Sequence, residues 1–198
     1  MTIEWVLFLP AAVLLLFPGN LFLPAGVEML SFERFRNASG KSRWILLRWL
    51  DPVRAFGAAF ALKVSLPLTS DMWAYVPGQE YGVLVGVLMA GVALQTFTLK
   101  EPDVLLSPTG YVVGVLFALV PWPVAGVALI AGITCLFAFR QFMPFFAMVA
   151  MVAAAIGVLF ETPVIWVLPA VGLVFVPVVA SLVTGRTLEI PVREDTGQ

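Results

Sequence analysis

Long apolar stretches dominate the chain, separated by short polar breaks. Seven apolar segments can be drawn, at residues 3–23, 52–68, 81–99, 104–120, 123–139, 142–160 and 163–183. A helix needs about 20 mainly apolar residues to cross a hydrocarbon core of ~30 Å. The pattern therefore predicts an all-α polytopic membrane protein of six to seven transmembrane helices, several of them short or proline-kinked.

The breaks inside and between the segments carry their own signals. Phe17-Pro18-Gly19-Asn20 interrupts the first segment, because proline removes a helical hydrogen bond and glycine loosens the backbone. A kinked span is the simple expectation, and a broken helix lining a polar site the alternative. Asp51-Pro52 reads as an N-cap followed by proline at the first helical position, and Ser107-Pro108 as another such start. Gly82, Gly86 and Ala90 recur at spacing four, as do Gly110, Gly114 and Ala118; both are small-residue faces suited to close helix packing. The fourth segment is the shortest. Pro108 to Val120 gives 13 residues, about 20 Å of helix, so either residues 104–106 join it or it is a partial helix buried by its neighbours. Pro121-Trp122-Pro123 predicts a turn, and Pro169 and Pro177 predict kinks in the last span.

Residues 31–54 are the one long hydrophilic interruption. Met29, Phe32 and Phe35 recur at spacing three with Glu33, Arg36 and Asn37 on another side, which predicts a short interfacial helix. Residues 27–51 are accordingly expected to lie along the cytoplasmic surface. The stretch holds Arg34, Arg36, Lys41, Arg43, Arg48 and Arg54, six of the eleven basic residues, and these are candidate contacts for anionic lipid headgroups. Residues 1–183 form a single transmembrane domain on this reading, and 184–198 a loose polar tail. The first basic residue is Arg34, so no positively charged region precedes the first apolar segment and it is expected to be retained rather than cleaved.

Composition agrees. The chain is 61% hydrophobic and 12% charged, with a mean hydropathy of +1.02, well away from the roughly 25% charge of soluble domains. Charge placement then sets orientation. With the N-terminus outside and residues 31–54 inside, ten of the eleven basic residues fall inside, as the positive-inside bias requires. Lys63, within the second span, is the exception. The C-terminus is then cytoplasmic, in a plasma membrane of bacterial type.

Candidate chemistry is sparse. There is no histidine and a single cysteine, which leaves no imidazole acid–base chemistry, no internal disulfide and no metal-ligand spacing. No cofactor, metal or nucleic-acid partner is expected, and no catalytic motif is present. Lys63, Asn20, Gln95, Thr98 and Glu161 are the candidate residues for an intramembrane polar site. Intramembrane charges usually pair, so Lys63 is expected to meet one of Glu4, Asp71, Glu80 or Glu161, unless its stem snorkels to the headgroups. Thr162 is expected to cap the last span. Two functions fit these residues: a non-catalytic subunit or assembly partner of a membrane complex, joined to another membrane protein or to its own copy, or a small-solute or ion carrier with a site near Lys63.

Overall fold

The computed structural model describes residues 4–18, 27–32, 45–66, 78–97 and 103–193, with backbone alone at 27–30, 45–49, 78–80 and 191–193. Seven helices lie among the described residues: α1 (Trp5–Leu16), α2 (Ile45–Ser65), α3 (Gly78–Phe97), α4 (Thr109–Leu119), α5 (Trp122–Phe139), α6 (Phe142–Leu159) and α7 (Val164–Thr184). Three short strands accompany them: β1 (Val27–Leu30), β2 (Val104–Leu106) and β3 (Thr187–Arg193). By length and composition α5, α6 and α7 are able to cross a membrane; α1, α4 and the Tyr81–Phe97 part of α3 are apolar but shorter. This is consistent with a helical membrane protein. The long helix α2 differs in carrying Arg48, Asp51, Arg54 and Lys63.

The helices sort into two ends. Glu4 N–H donates to Ser65 O at 3.1 Å, so the start of α1 is level with the finish of α2, and the two run antiparallel. A Cβ placed on Gly110 would meet Asp51 and Pro52, and one on Gly114 would meet Pro52 O, Phe56 N and Ala55. Helix α4 therefore runs parallel to α2, in van der Waals contact along the Gly110, Gly114 and Ala118 face. Side chains larger than these would hold two backbones apart. Helices α5, α6 and α7 follow as antiparallel neighbours joined by tight turns, with Gly132 against Phe145 and Val149, and Gly157 against Val167. Helix α7 also packs on α3 and α4. The core runs through this whole bundle and includes Leu15, Leu62, Leu88, Tyr111, Leu116, Phe146 and Leu173, all fully buried.

The strands close one end, with β3 in the middle. It pairs antiparallel with β1 (Leu30 opposite Ile190, Val27 opposite Arg193) and parallel with β2 (Val104 opposite Thr187, Leu106 opposite Glu189). Leu188 and Ile190 are buried while Glu189 between them is less so, the two-residue alternation of a half-buried strand. Pro191 lies beyond the β2 pairing, so its missing N–H interrupts no β2–β3 bond.

Several boundaries depart from the sequence reading. Helix α1 stops at Leu16, and Phe17 is extended (φ −71°, ψ 115°), the conformation proline imposes on its predecessor; residues 19–23 of the expected span lie outside the described residues. Helix α2 starts at Ile45, so Asp51-Pro52 is interior and caps nothing. Residues 27–30 are a strand rather than part of an interfacial helix, because residues distant in sequence (190–193) supply their hydrogen bonds. Of the rest of that expected helix, Phe32 is helical, and residues 33–40, up to the expected stop at Gly40, lie outside the described residues. Residues 104–106 are β2, which leaves α4 as the partial, buried helix. The expected loose tail contains β3. Helix α7 runs on through Pro169 and Pro177.

The α2–α4 contact makes a prediction. Gly114→Leu would drive a side chain into backbone atoms and should destabilise the protein by about 3 kcal/mol or more. Gly126→Leu, on α5 with nothing within 4 Å of an added Cβ, should stay within about 0.5 kcal/mol. Thermal unfolding in mild detergent compares them, and equal losses would contradict the packing described.

Candidate functional site

Helix α2 places three charged side chains against the ends of two short helices. The first is Arg54. Its Nη1 donates to Leu14 O at 2.8 Å and to Phe17 O at 2.5 Å, and its Nη2 pairs with Asp51 Oδ1 at 2.6 Å. The last carbonyls of a helix have no partner within it. At the end of α1 the guanidinium supplies donors to two carbonyls, and its charge opposes the negative end of the helix dipole. Gln95 on α3 adds a third donor, Nε2 to Phe17 O at 3.1 Å.

The second is Asp51. A Cβ on Gly110 would lie 3.0 Å from Asp51 Oδ2, so the carboxylate sits against the first turn of α4, where the helix dipole favours an anion. The third is Lys63. Its ammonium donates to Ala118 O at 3.4 Å and Leu119 O at 3.3 Å, and stands 4.5 Å above the ring of Trp166. That places a cation at the C-terminal end of α4 and over an aromatic face. The twelve-residue separation of Asp51 and Lys63 is about 18 Å of helix, against about 16 Å for the eleven residues of α4. One helix thus provides an anion for the start of α4 and a cation for its finish.

Tyr111 sits next to this group. It is fully buried, and its hydroxyl has no hydrogen-bond partner among the described residues. A Cβ on Gly91 would meet both the Tyr111 hydroxyl and Leu15 O, so the phenol fits because position 91 lacks a side chain. Ser107 Oγ and Thr162 Oγ1 are likewise buried without partners.

Of the sequence-predicted residues that are described, Gln95 and Lys63 lie apart. Gln95 lies with Phe17 at the α1 terminus, whereas Lys63 lies at the opposite end of α4. Glu161 is exposed in the α6–α7 turn, with a left-handed backbone (φ 50°). The one ion pair between described residues is Asp51–Arg54; Lys63 meets carbonyls and an aromatic ring rather than Glu4 or Glu161, while Asp71 lies outside the described residues and the side chain of Glu80 is not described. Asn20 and Thr98 lie outside the described residues. Of the six expected headgroup contacts, Arg54 is instead committed to the α1 terminus. The side chain of Arg48 is not described, and Arg34, Arg36, Lys41 and Arg43 lie outside the described residues. Thr162 makes no side-chain cap; its N–H donates to Gly157 O at 2.9 Å. The Asp51–Arg54 pair and Tyr111 were missed in sequence because α2 was begun at Pro52, which put Asp51 outside the helix.

The chain matches no protein-family model, no curated protein and no solved structure. Its chemistry therefore has to be argued from these contacts alone. They neutralise helix ends, and no group of three or more His, Cys, Asp or Glu residues able to hold a metal lies among the described residues.

Two substitutions test this arrangement in thermal unfolding. Lys63→Met should destabilise by about 1–3 kcal/mol, the sum of a helix-end charge and a cation–π contact; a change under ~0.3 kcal/mol would mean that Lys63 holds nothing. Tyr111→Phe should be neutral or slightly stabilising, because it deletes a buried hydroxyl with no partner. A loss above ~1 kcal/mol would reveal a partner for that hydroxyl.

Proposed function

We propose that the protein is a non-catalytic integral membrane subunit, an assembly partner that packs against another membrane protein. The observation that carries this is the engagement of Asp51, Arg54 and Lys63, each on the end of a helix, so that the charges inside the bundle serve its architecture. The two small-residue faces support the same reading. That of α4 is used up against α2. That of α3 is open: Gly82, Gly86 and Ala90 are exposed, and nothing lies within 4 Å of a Cβ added at Gly82 or Gly86. In lipid, where apolar burial drives no association, such a face gives a close approach for another transmembrane helix.

On this reading all seven helices traverse or enter the bilayer, with the N-terminus outside. The strand-bearing end, with the start of α2, Arg140, Arg186 and Arg193, faces the cytoplasm of a bacterial-type plasma membrane, where anionic lipids would meet it. Helices α1 and α4, at about 18 and 16 Å, stop within the membrane. That favours a second reading, transport of a small solute or ion. Discontinuous helices ending at depth are the usual frame of transporter sites, and on that account the site would be Asp51–Arg54, not Lys63.

Extraction in a gentle detergent should recover a second membrane protein in stoichiometric amount. Gly86→Leu should reduce that recovery about tenfold, the effect of ~1.4 kcal/mol lost at the interface. A clean monomer in lipid nanodiscs, unaffected by Gly86→Leu, would contradict the subunit reading. Recovery of a second copy of this chain would replace the partner by a homo-oligomer.

A further inference from the structure

The strand-bearing end holds a cleft of 570 Å³, between the α5–α6 turn, the end of α7 and the start of β3. Arg140, Gln141, Arg186, Thr187 and Glu189 are among its polar lining residues, and Phe139 and Leu182 among its apolar ones. We propose that this cleft binds a phosphate group, and that the phosphate is that of an anionic lipid headgroup. The inference rests on the membrane reading above.

Electrostatics favour an anion. Arg140 and Arg186 stand against the single acid Glu189 among the lining residues, and guanidinium forks match phosphate oxygens. Arg186 could merely offset the negative end of α7. Its guanidinium, however, makes no hydrogen bond to a described residue; the last turn is tied instead by Ser181 Oγ donating to Arg186 O at 2.6 Å and Thr184 Oγ1 to Ala180 O at 2.7 Å. The first turn of α6 also opens here. Gln141 is its N-cap and makes no side-chain cap, so the amides of that turn are left without a capping side chain. Arg140 occupies a left-handed backbone conformation (φ 57°) as the C-cap of α5, a position where glycine is the usual choice. From that position Arg140 contributes to the lining of the cleft.

The shape favours a lipid over a free ion. Phe139 and Leu182 are each 63% exposed at the rim, so an apolar surface continues outward from the polar lining, as a headgroup with attached acyl chains requires. The cleft lies at the end that carries ten of the eleven basic residues on the charge-placement reading, where the anionic leaflet would be.

Native mass spectrometry of the full chain in neutral detergent, titrated with phosphatidylglycerol or phosphatidylcholine, tests this. One phosphatidylglycerol should bind in preference to phosphatidylcholine. Arg186→Gln should weaken it about tenfold, as loss of a charge-assisted pair does. Gln141→Glu favours the start of α6 and should keep or raise the melting temperature while lowering phosphatidylglycerol affinity, and Arg140→Gln should lower that affinity as well. Inorganic phosphate separates the sources: competition at low millimolar concentration assigns the cleft to free phosphate and overturns the lipid assignment, and no competition supports the lipid. Equal binding of the two lipids, or phosphatidylglycerol affinity unchanged in all three variants, overturns the site and leaves the subunit proposal standing.

Discussion

A helix that ends inside a bilayer leaves backbone carbonyls that neither water nor the next turn can satisfy, and each unsatisfied group costs several kcal/mol. On the proposed membrane reading, α1 and α4 are too short to cross, and the bundle depends on what meets their ends. Helix α2 supplies it. Arg54 donates to Leu14 O and Phe17 O, Asp51 holds Arg54 and lies against the first turn of α4, and Lys63 donates to the last carbonyls of α4. The charges lower the apolar character of α2, and in return two neighbours can be half-length. Close contact through Gly110, Gly114 and Ala118 is the second requirement, because it brings α2 near enough to α4 for Asp51 and Lys63 to reach both ends.

Short helices leave room at one end of the bundle, and β2 and β3 use it. Residues that α4 would have needed to become a full span (104–106) pair with 187–189 instead. The polar segments thereby gain hydrogen bonds from the sheet, and Leu105, Leu188 and Ile190 join the core. Architecture and the proposed role connect at this point. On the proposed reading, the charges of α2 are occupied by helix ends, and the surfaces proposed for function lie outside the bundle, on the face of α3 and in the cleft beside β3.

Helix positions were largely legible in the sequence, since segment ends at Phe139, Phe142 and Thr184 follow from where apolar runs stop and where glycine or proline stands. The strands were not. Their hydrogen bonds join residues more than eighty positions apart, and a four-residue strand such as β1 has no periodicity long enough to oppose the spacing of Met29, Phe32 and Phe35. Capping signals misled for a related reason. Asp51-Pro52 and Ser107-Pro108 look like local caps, yet Asp51 serves a different helix from its own and Ser107 Oγ has no partner. Lys63 stands out in the sequence as the basic residue inside an apolar run, but its partners among the described residues are carbonyls and a ring, groups that charge counting does not see. Arg54 looked like one more cation in a basic stretch. Only the early finish of α1 makes it a structural residue.

The central claim is that Asp51 and Arg54 act together as the joint between α1, α2 and α4. A double-mutant cycle over Asp51→Asn and Arg54→Gln, read by reversible unfolding in bicelles, measures it most directly. Each single change leaves one charge without its partner, and for this partly exposed pair should cost about 2 kcal/mol or more, below the ~3–5 kcal/mol of a fully buried pair. The coupling between the two should be at least ~1 kcal/mol. Single losses below ~0.5 kcal/mol that simply add would contradict the account, and would mean that the end of α1 is held by something other than this pair.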